Sequence, residues 1–168
     1  MRDQIMSQYL RSLASESSPG GGATAALHVA QAASLVGRAG ADGREAEALS
    51  MHALRLAEKE AHAAAVLARA RRSPGGASAE ARRQACGPAA EVITAAARVL
   101  DLAEGVRPDA LVATDLAAAA EAARAAATTA GLSIEVHSGA TAPPEVAAVT
   151  TRADRLTTAI RDVVVTLS

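Results

Sequence analysis

The feature of the sequence best suited to bind a ligand is the run Ser18-Pro19-Gly20-Gly21-Gly22, which directly precedes a helical pattern. Glycine allows a ligand to approach the backbone closely, and the free amides at a helix start carry the positive end of the helix dipole. The run therefore predicts a binding site for a carboxylate or an oxyanion. A flexible connector followed by a helix start is the alternative, and the three glycines alone do not exclude it.

Two carboxylates are candidates for proton transfer. Glu60 falls on the same helical stripe as Leu56 and Leu67, which places its carboxyl group at a helix interface. Loss of water there disfavours the ionised form and suits a general acid or base near neutral pH. If the inward face is rotated, Glu60 is solvated instead. Asp115 follows Thr114 at a predicted helix start, where the pair is either functional or a cap that stabilises the helix.

The remaining reactive side chains do not indicate a metal or disulfide site. The single cysteine, Cys86, cannot form an internal disulfide and is expected to be a small buried hydrophobe. No two histidines stand at i, i+4 as a metal-binding pair with a nearby acid, so no metal site is predicted. The four histidines are His28, His52, His62 and His137.

Composition restricts the class of partner. The chain carries 17 basic and 18 acidic residues, a formal net charge of -1, and Tyr9 is its sole aromatic residue. Nucleic acid is therefore not an expected partner, because neither a basic balance nor stacking rings are present. The sequence has no secretory signal pattern and no apolar run of about 18 residues, so we expect a cytoplasmic protein without a membrane partner.

These residues must be positioned by helices. Half of the residues are hydrophobic and only 1 % are aromatic, so the core must be built from Ala, Leu and Val, and alanine favours helix. The periodicity predicts an all-α fold, an antiparallel bundle of five or six helices in a single domain over 1–168. Pro88 is expected to kink or restart the fourth helix, Gly131 to end the fifth, and 132–137 to form a loop or a helical extension. The predicted helices are Met1 to Ala14, Ala23 to Gly37, Glu45 to Arg72, Ser78 to Glu104, Leu116 to Ala130 and Glu145 to Leu167.

The glycine run and its flanks resemble the start of the folate-dependent cyclodeaminase/cyclohydrolase family. The matching flanks are Tyr9-Leu10-Arg11-Ser12-Leu13-Ala14-Ser15 and Ala23-Thr24-Ala25-Ala26-Leu27. This family includes the cyclodeaminase half of formiminotransferase-cyclodeaminase and the bacterial methenyltetrahydrofolate cyclohydrolases, and its members are all-helical and typically dimeric. The resemblance implies a tetrahydrofolate derivative as ligand and a homodimer.

Looser matches keep the family's order along nearly the whole chain. Ala113-Thr114-Asp115-Leu116 is similar to the family's Ser-Asp-Leu, and Glu60 stands where the family has an Asp. The chain departs from the family at four places: Ala64 replaces a Phe, Arg71-Arg72-Ser73-Pro74 stands near a Leu-Pro-Lys sequence, and Ser133 and His137 occupy two asparagine positions.

The resemblance implies roles for these residues. Ser18 and the backbone of Gly20 to Gly22 would hold the ligand, Glu60 would be the acid/base, and Asp115 would bond the pterin or orient a water. Thr114, Ser133 and His137 would add polar contacts, with Pro19 in the binding loop. The lack of a formiminotransferase domain favours cyclohydrolysis over cyclodeamination. The alternatives are a catalytically inactive family member that binds folate or another protein, and a helical scaffold that dimerises through the Ala-rich 116–130 helix.

Overall fold

A computed structural model describes residues 6–14 and 20–166, which form six α-helices and, within those ranges, no strand. The predicted all-α bundle is confirmed. None of the helices in these ranges is long and apolar enough to cross a lipid bilayer. The helices are α1 (Met6–Leu13), α2 (Gly21–Arg38), α3 (Gly43–Arg72), α4 (Ala79–Glu104), α5 (Ala113–Ser138) and α6 (Pro144–Thr166).

Helices α2 to α5 form a closed ring in which each helix packs against the next and α5 returns to pack against α2. Helix α6 lies outside this ring against α5 and α4. Neighbours in the ring run antiparallel, as the contacts between α2 and α5 illustrate. Gly21 at the start of α2 lies beside Thr129 near the end of α5, whereas Arg38 at the end of α2 pairs with Asp115 at the start of α5.

The core at the centre of the ring is built mainly from alanine. Six of the eight buried residues of α2 are alanines, and the other two are valines. Small side chains let the helices pack closely: a Cβ atom added at Gly37 would lie only 2.9 Å from the Cβ atom of Ala46 on α3. Tyr9 on α1 is buried, and its hydroxyl lies 3.1 Å from that of Thr24 on α2.

The starts of α2 and α5 differ from the prediction in ways that affect the candidate site residues. Helix α2 begins at Gly21 rather than Ala23, so two of the three glycines belong to the helix itself. Thr114 is not the cap of α5, because the helix begins one residue earlier and Thr114 lies within its first turn, exposed to solvent. The carboxylate of Asp109 instead accepts hydrogen bonds from the amides of Leu111 and Val112 just ahead of the helix.

The predicted end of the fifth helix at Gly131 is wrong, and of the kink or restart predicted at Pro88 the restart is absent. Helix α4 continues through Pro88 without a restart. Helix α5 continues through Gly131, so that 132–137 is a helical extension, and it ends at Gly139, whose φ of 75° is the left-handed geometry that favours glycine at a helix end. Gly131 has a packing role, because a Cβ atom there would lie 2.8 Å from Val146 Cγ2 on α6.

Candidate active site

A cavity of about 290 Å³ lies between the start of α2, the middle of α3 and the last turns of α5. Alternation of helix direction around the ring brings these three segments to the same end of the bundle. The residues that line the cavity are Gly20, Gly21, Gly22, Ala23, Glu60, Ala61, Ala64, Thr129, Leu132, Ser133, Val136 and His137.

Glu60 is the one carboxylate among the cavity residues, and its side chain is almost fully removed from solvent, at 3 % exposure. The inward position that the helical stripe predicts is therefore confirmed. Burial raises the pKa of Glu60 from 4.5 to about 7, because removal of water penalises the charged form. Its Oε1 atom is buried and has no hydrogen-bond partner among the described residues. An unsatisfied buried oxygen in a cavity is available to a ligand.

The Glu60 carboxyl group occupies the space where Gly22 lacks a side chain. A Cβ atom added at Gly22 would overlap Glu60 Oε2 and would lie 2.9 Å from Glu60 Cδ. The first donor inside α2 is the amide of Thr24, which bonds to the carbonyl of Gly20. The three preceding amides therefore lack helical acceptors, and the positive end of α2 faces the same region as the carboxyl group.

The third wall of the cavity is the end of α5. Ser133 Oγ and His137 Nδ1 lie 3.5 Å apart on it. Burial lowers the pKa of His137 below its usual 6.5, and the positive charge of Arg71 lowers it further, so the ring is neutral at neutral pH. Leu132 and Val136 are 58 % and 61 % exposed, which makes the solvent side of the cavity apolar.

The structure brings most of the predicted site residues together. The three glycines, Glu60, Ser133 and His137 line one cavity, whereas Ser18 and Pro19 lie outside the described residues. Within the described ranges, no group of three or more His, Cys, Asp or Glu side chains is arranged to hold a metal ion.

Asp115 and Thr114 are not part of this cavity. Asp115 accepts two hydrogen bonds from Arg38, of 2.8 Å to Nε and 2.6 Å to Nη2, at the far end of α2. At 1.5 Å per residue, α2 separates Gly22 from Arg38 by about 24 Å. The two carboxylates predicted to act in catalysis therefore do not meet within one copy of the chain.

Three further cavity residues, Thr129, Leu132 and Val136, are not among the site residues predicted from the sequence. Thr129 precedes Ser133 by four residues, and Ser133 precedes His137 by four, which is the spacing of one helix face. The three residues share a face only if the helix continues past Gly131, whereas the sequence predicts that the helix ends there. The small size of Ala61 and Ala64 leaves the α3 side of the cavity open.

The fold of this chain is similar to that of a protein of known structure. No model of a protein family matches the sequence, and no curated protein matches it. Among solved structures, the chain is similar to formiminotetrahydrofolate cyclodeaminase from Thermotoga maritima, with a TM-score of 0.76 and 17 % sequence identity over 96 % of each chain. The two proteins therefore share their fold over nearly their whole lengths.

Proposed function

We propose that this protein is a tetrahydrofolate one-carbon enzyme in which Glu60 transfers the proton at the one-carbon group. The observation that carries the proposal is a buried carboxyl group with a pKa of about 7 and a free oxygen, which lines a cavity at the glycine-rich start of a helix. The shared fold with a formiminotetrahydrofolate cyclodeaminase supports the choice of ligand, as does the resemblance carried by the glycine run.

Both candidate reactions need one group that accepts a proton and then returns it. In cyclohydrolysis, water adds to the methenyl carbon while Glu60 takes a proton from the water, and Glu60 returns that proton to a ring nitrogen as the bond from this nitrogen to the carbon breaks. The added hydroxyl loses its remaining proton to solvent and becomes the formyl oxygen. In cyclodeamination, the nitrogen that links the pterin to the aminobenzoyl group attacks the formimino carbon and loses its proton to Glu60, and the terminal nitrogen leaves as ammonia after protonation. A group with a pKa near 7 is populated in both forms at neutral pH, as general acid–base catalysis requires.

The cavity suits the part of a folate that carries the reaction. Its volume of about 290 Å³ lies just below the range for small-molecule sites, about 300–1,000 Å³. A ring system fits inside, while the rest of the ligand extends past the apolar side chains of Leu132 and Val136. The Ser133 hydroxyl and the neutral His137 ring supply polar contacts from α5.

The first experiment compares methenyltetrahydrofolate hydrolysis and formiminotetrahydrofolate deamination by the wild-type chain and the variant Glu60→Gln. We expect Glu60→Gln to lower kcat by about 10²–10⁴-fold for whichever reaction the wild type catalyses, which is the usual contribution of a general acid–base. The matched control is Glu47→Gln, which changes an exposed glutamate on the same helix. Equal rates for wild type and Glu60→Gln would remove the catalytic role.

A second variant tests the position of the carboxyl group without changing its chemistry. In Gly22→Ala the added methyl group overlaps Glu60 Oε2, so the carboxyl group must move. We expect kcat/KM to fall at least about 10-fold, because a displaced acid–base no longer aligns with the reacting atoms. Gly43→Ala, at a helix start with no atom within 4 Å of the added carbon, is the control.

An inactive folate-binding protein is the second candidate. The departures at Ala64, Ser133 and His137 from the family's pattern favour it, because all three line the cavity. Thermal unfolding with added folate distinguishes the two candidates: a ligand at 100 times its Kd stabilises the folded state by about 2.7 kcal/mol. Stabilisation without turnover of either substrate would identify the binding protein and would exclude the enzyme.

A further inference from the structure

We infer that the cavity binds an amidine-type group, a planar N–C–N unit with N–H donors, and that Glu60 Oε1 accepts its hydrogen bond. The inference rests on the proposed function for the site and adds the chemistry of the ligand group that the site selects. The supporting observation is that the buried Glu60 carboxyl group has an unpartnered oxygen and no positively charged neighbour among the described residues.

The glycine-rich helix start is already occupied by an anionic side chain of the protein. Glu60 Oε2 lies against Gly22 in the space that a side chain would fill, and the free amides of α2 begin at the same residues. A carboxyl group of the protein therefore already lies beside the glycines that were expected to bind a ligand carboxylate. Its second oxygen, Oε1, is buried without a partner among the described residues and remains as an acceptor.

No cation of the described chain neutralises this carboxylate. Among the described residues, no lysine or arginine forms an ion pair or hydrogen bond with Glu60, and Lys59 on the same helix pairs with Glu91. The titratable groups nearby are Cys86 on α4, whose thiol pKa burial raises, with a smaller contribution from the Glu60 charge, and His137 on α5, which is neutral at neutral pH. Neither supplies a positive charge.

A ligand that completes this site must therefore bring the donor. A protonated amidine places N–H groups and a delocalised positive charge in one plane, and a charge-assisted hydrogen bond to a carboxylate is about twice as strong as a neutral one. Ala61 and Ala64 leave space beside the carboxyl group for such a flat unit.

Two parts of a folate offer this chemistry. A protonated formimino group is an amidinium that carries N–H donors, whereas the methenyl bridge is an amidinium without them. The 2-amino-4-oxopyrimidine edge of the pterin also presents adjacent N–H donors. The shared chemistry is the N–C–N unit, and competition experiments separate its two sources.

The test uses the full chain with benzamidine, a cation at neutral pH, and benzamide, its neutral counterpart of the same shape. NMR titration of the Glu60 carboxyl carbon measures both binding and protonation. We expect benzamidine to bind at least about 10-fold more tightly than benzamide, and to lower the Glu60 pKa because a bound cation stabilises the carboxylate. Formamidine and 2-aminopyrimidin-4-one, added as competitors, then show whether the one-carbon group or the pterin edge is the better match.

Variants complete the test. Glu60→Gln should weaken benzamidine binding at least about 10-fold, and Glu47→Gln should leave it unchanged, since the former removes the charged acceptor. Equal affinities for the two probes, or benzamidine binding unaffected by Glu60→Gln, would overturn the inference. Selective benzamidine binding without folate turnover would support the inference and reject the proposed reaction. Folate turnover with equal affinities for the two probes would support the proposed reaction and reject the inference.

Discussion

Glu60 should make the stability of this protein fall as pH rises through the neutral range. Its pKa is 4.5 in the unfolded chain and about 7 in the folded protein, so the folded state binds the proton more tightly. Between these two values the folded state holds more protons than the unfolded state, and the free energy of unfolding therefore decreases with pH. The stabilisation is complete below about pH 4.5 and is lost as pH rises through about 7.

The magnitude follows from the two pKa values. A shift of one pKa unit corresponds to about 1.36 kcal/mol, so the full difference is about 3 kcal/mol. Most of it, about 2.5 kcal/mol, should develop between about pH 5 and about pH 8. Glutamine has nearly the same shape and does not ionise, so in Glu60→Gln this contribution is absent at every pH.

Urea denaturation of wild type and Glu60→Gln, repeated at several pH values, measures the effect. The difference in the free energy of unfolding between variant and wild type should shift by about 2.5 kcal/mol in favour of the variant from about pH 5 to about pH 8. A pH-independent effect of the amide on stability adds the same amount at every pH and does not alter this shift. Glu47→Gln, on the exposed side of the same helix, should show almost no such trend. If the curves of wild type and Glu60→Gln run parallel across this range, Glu60 is not a buried acid and the proposed proton transfer loses its basis.

Two further predictions concern packing and the α5 wall of the cavity. Gly131→Ala should destabilise the fold by about 1–3 kcal/mol, because its new methyl group meets Val146 Cγ2 at 2.8 Å. Gly87→Ala, in a helix with no atom within 4 Å, should instead stabilise it by up to about 1 kcal/mol in the same urea experiment. Arg71→Gln should raise the pKa of His137 by removing a nearby positive charge, as histidine ring NMR would measure, and an unchanged pKa would leave burial as the sole cause.

The fold could be predicted from the sequence because its helices have strong apolar stripes and clear turn residues. Periodicity predicted five or six helices, of which the structure has six in the described ranges, and it placed most boundaries to within two residues. The errors fell where tertiary packing overrides local preference. Gly131 is a helix-ending residue by propensity, but here it lets α6 approach α5, and the helix ends at Gly139 instead. A glycine can end a helix or allow another helix to pack closely against it. The choice between these roles depends on tertiary contacts, which the local sequence does not reveal.

The candidate site was only partly predictable, for a reason that lies in the topology. Glu60 could be identified because its inward position follows from the stripe of a single helix. The pattern of α5 alone does not show which end of the bundle Asp115 occupies. The antiparallel order of the helices decides this, and it puts Asp115 at the end opposite the glycine run. The chain crosses the bundle three times between the start of α2 and the start of α5, so these two starts lie at opposite ends. The end of α5, with Ser133 and His137, returns to the glycines.

Gly22 and Glu60 depend on each other, because the Glu60 carboxyl group fills the space that a side chain at position 22 would need. Burial raises the pKa of Glu60 from 4.5 to about 7, which disfavours its charged form by about 3 kcal/mol relative to the unfolded chain. The protonated and ionised forms are therefore close in free energy near neutral pH. A side chain at position 22 would remove the carboxyl group from this balance, so Gly22 is required by the acid–base itself, independently of any anion that a ligand brings.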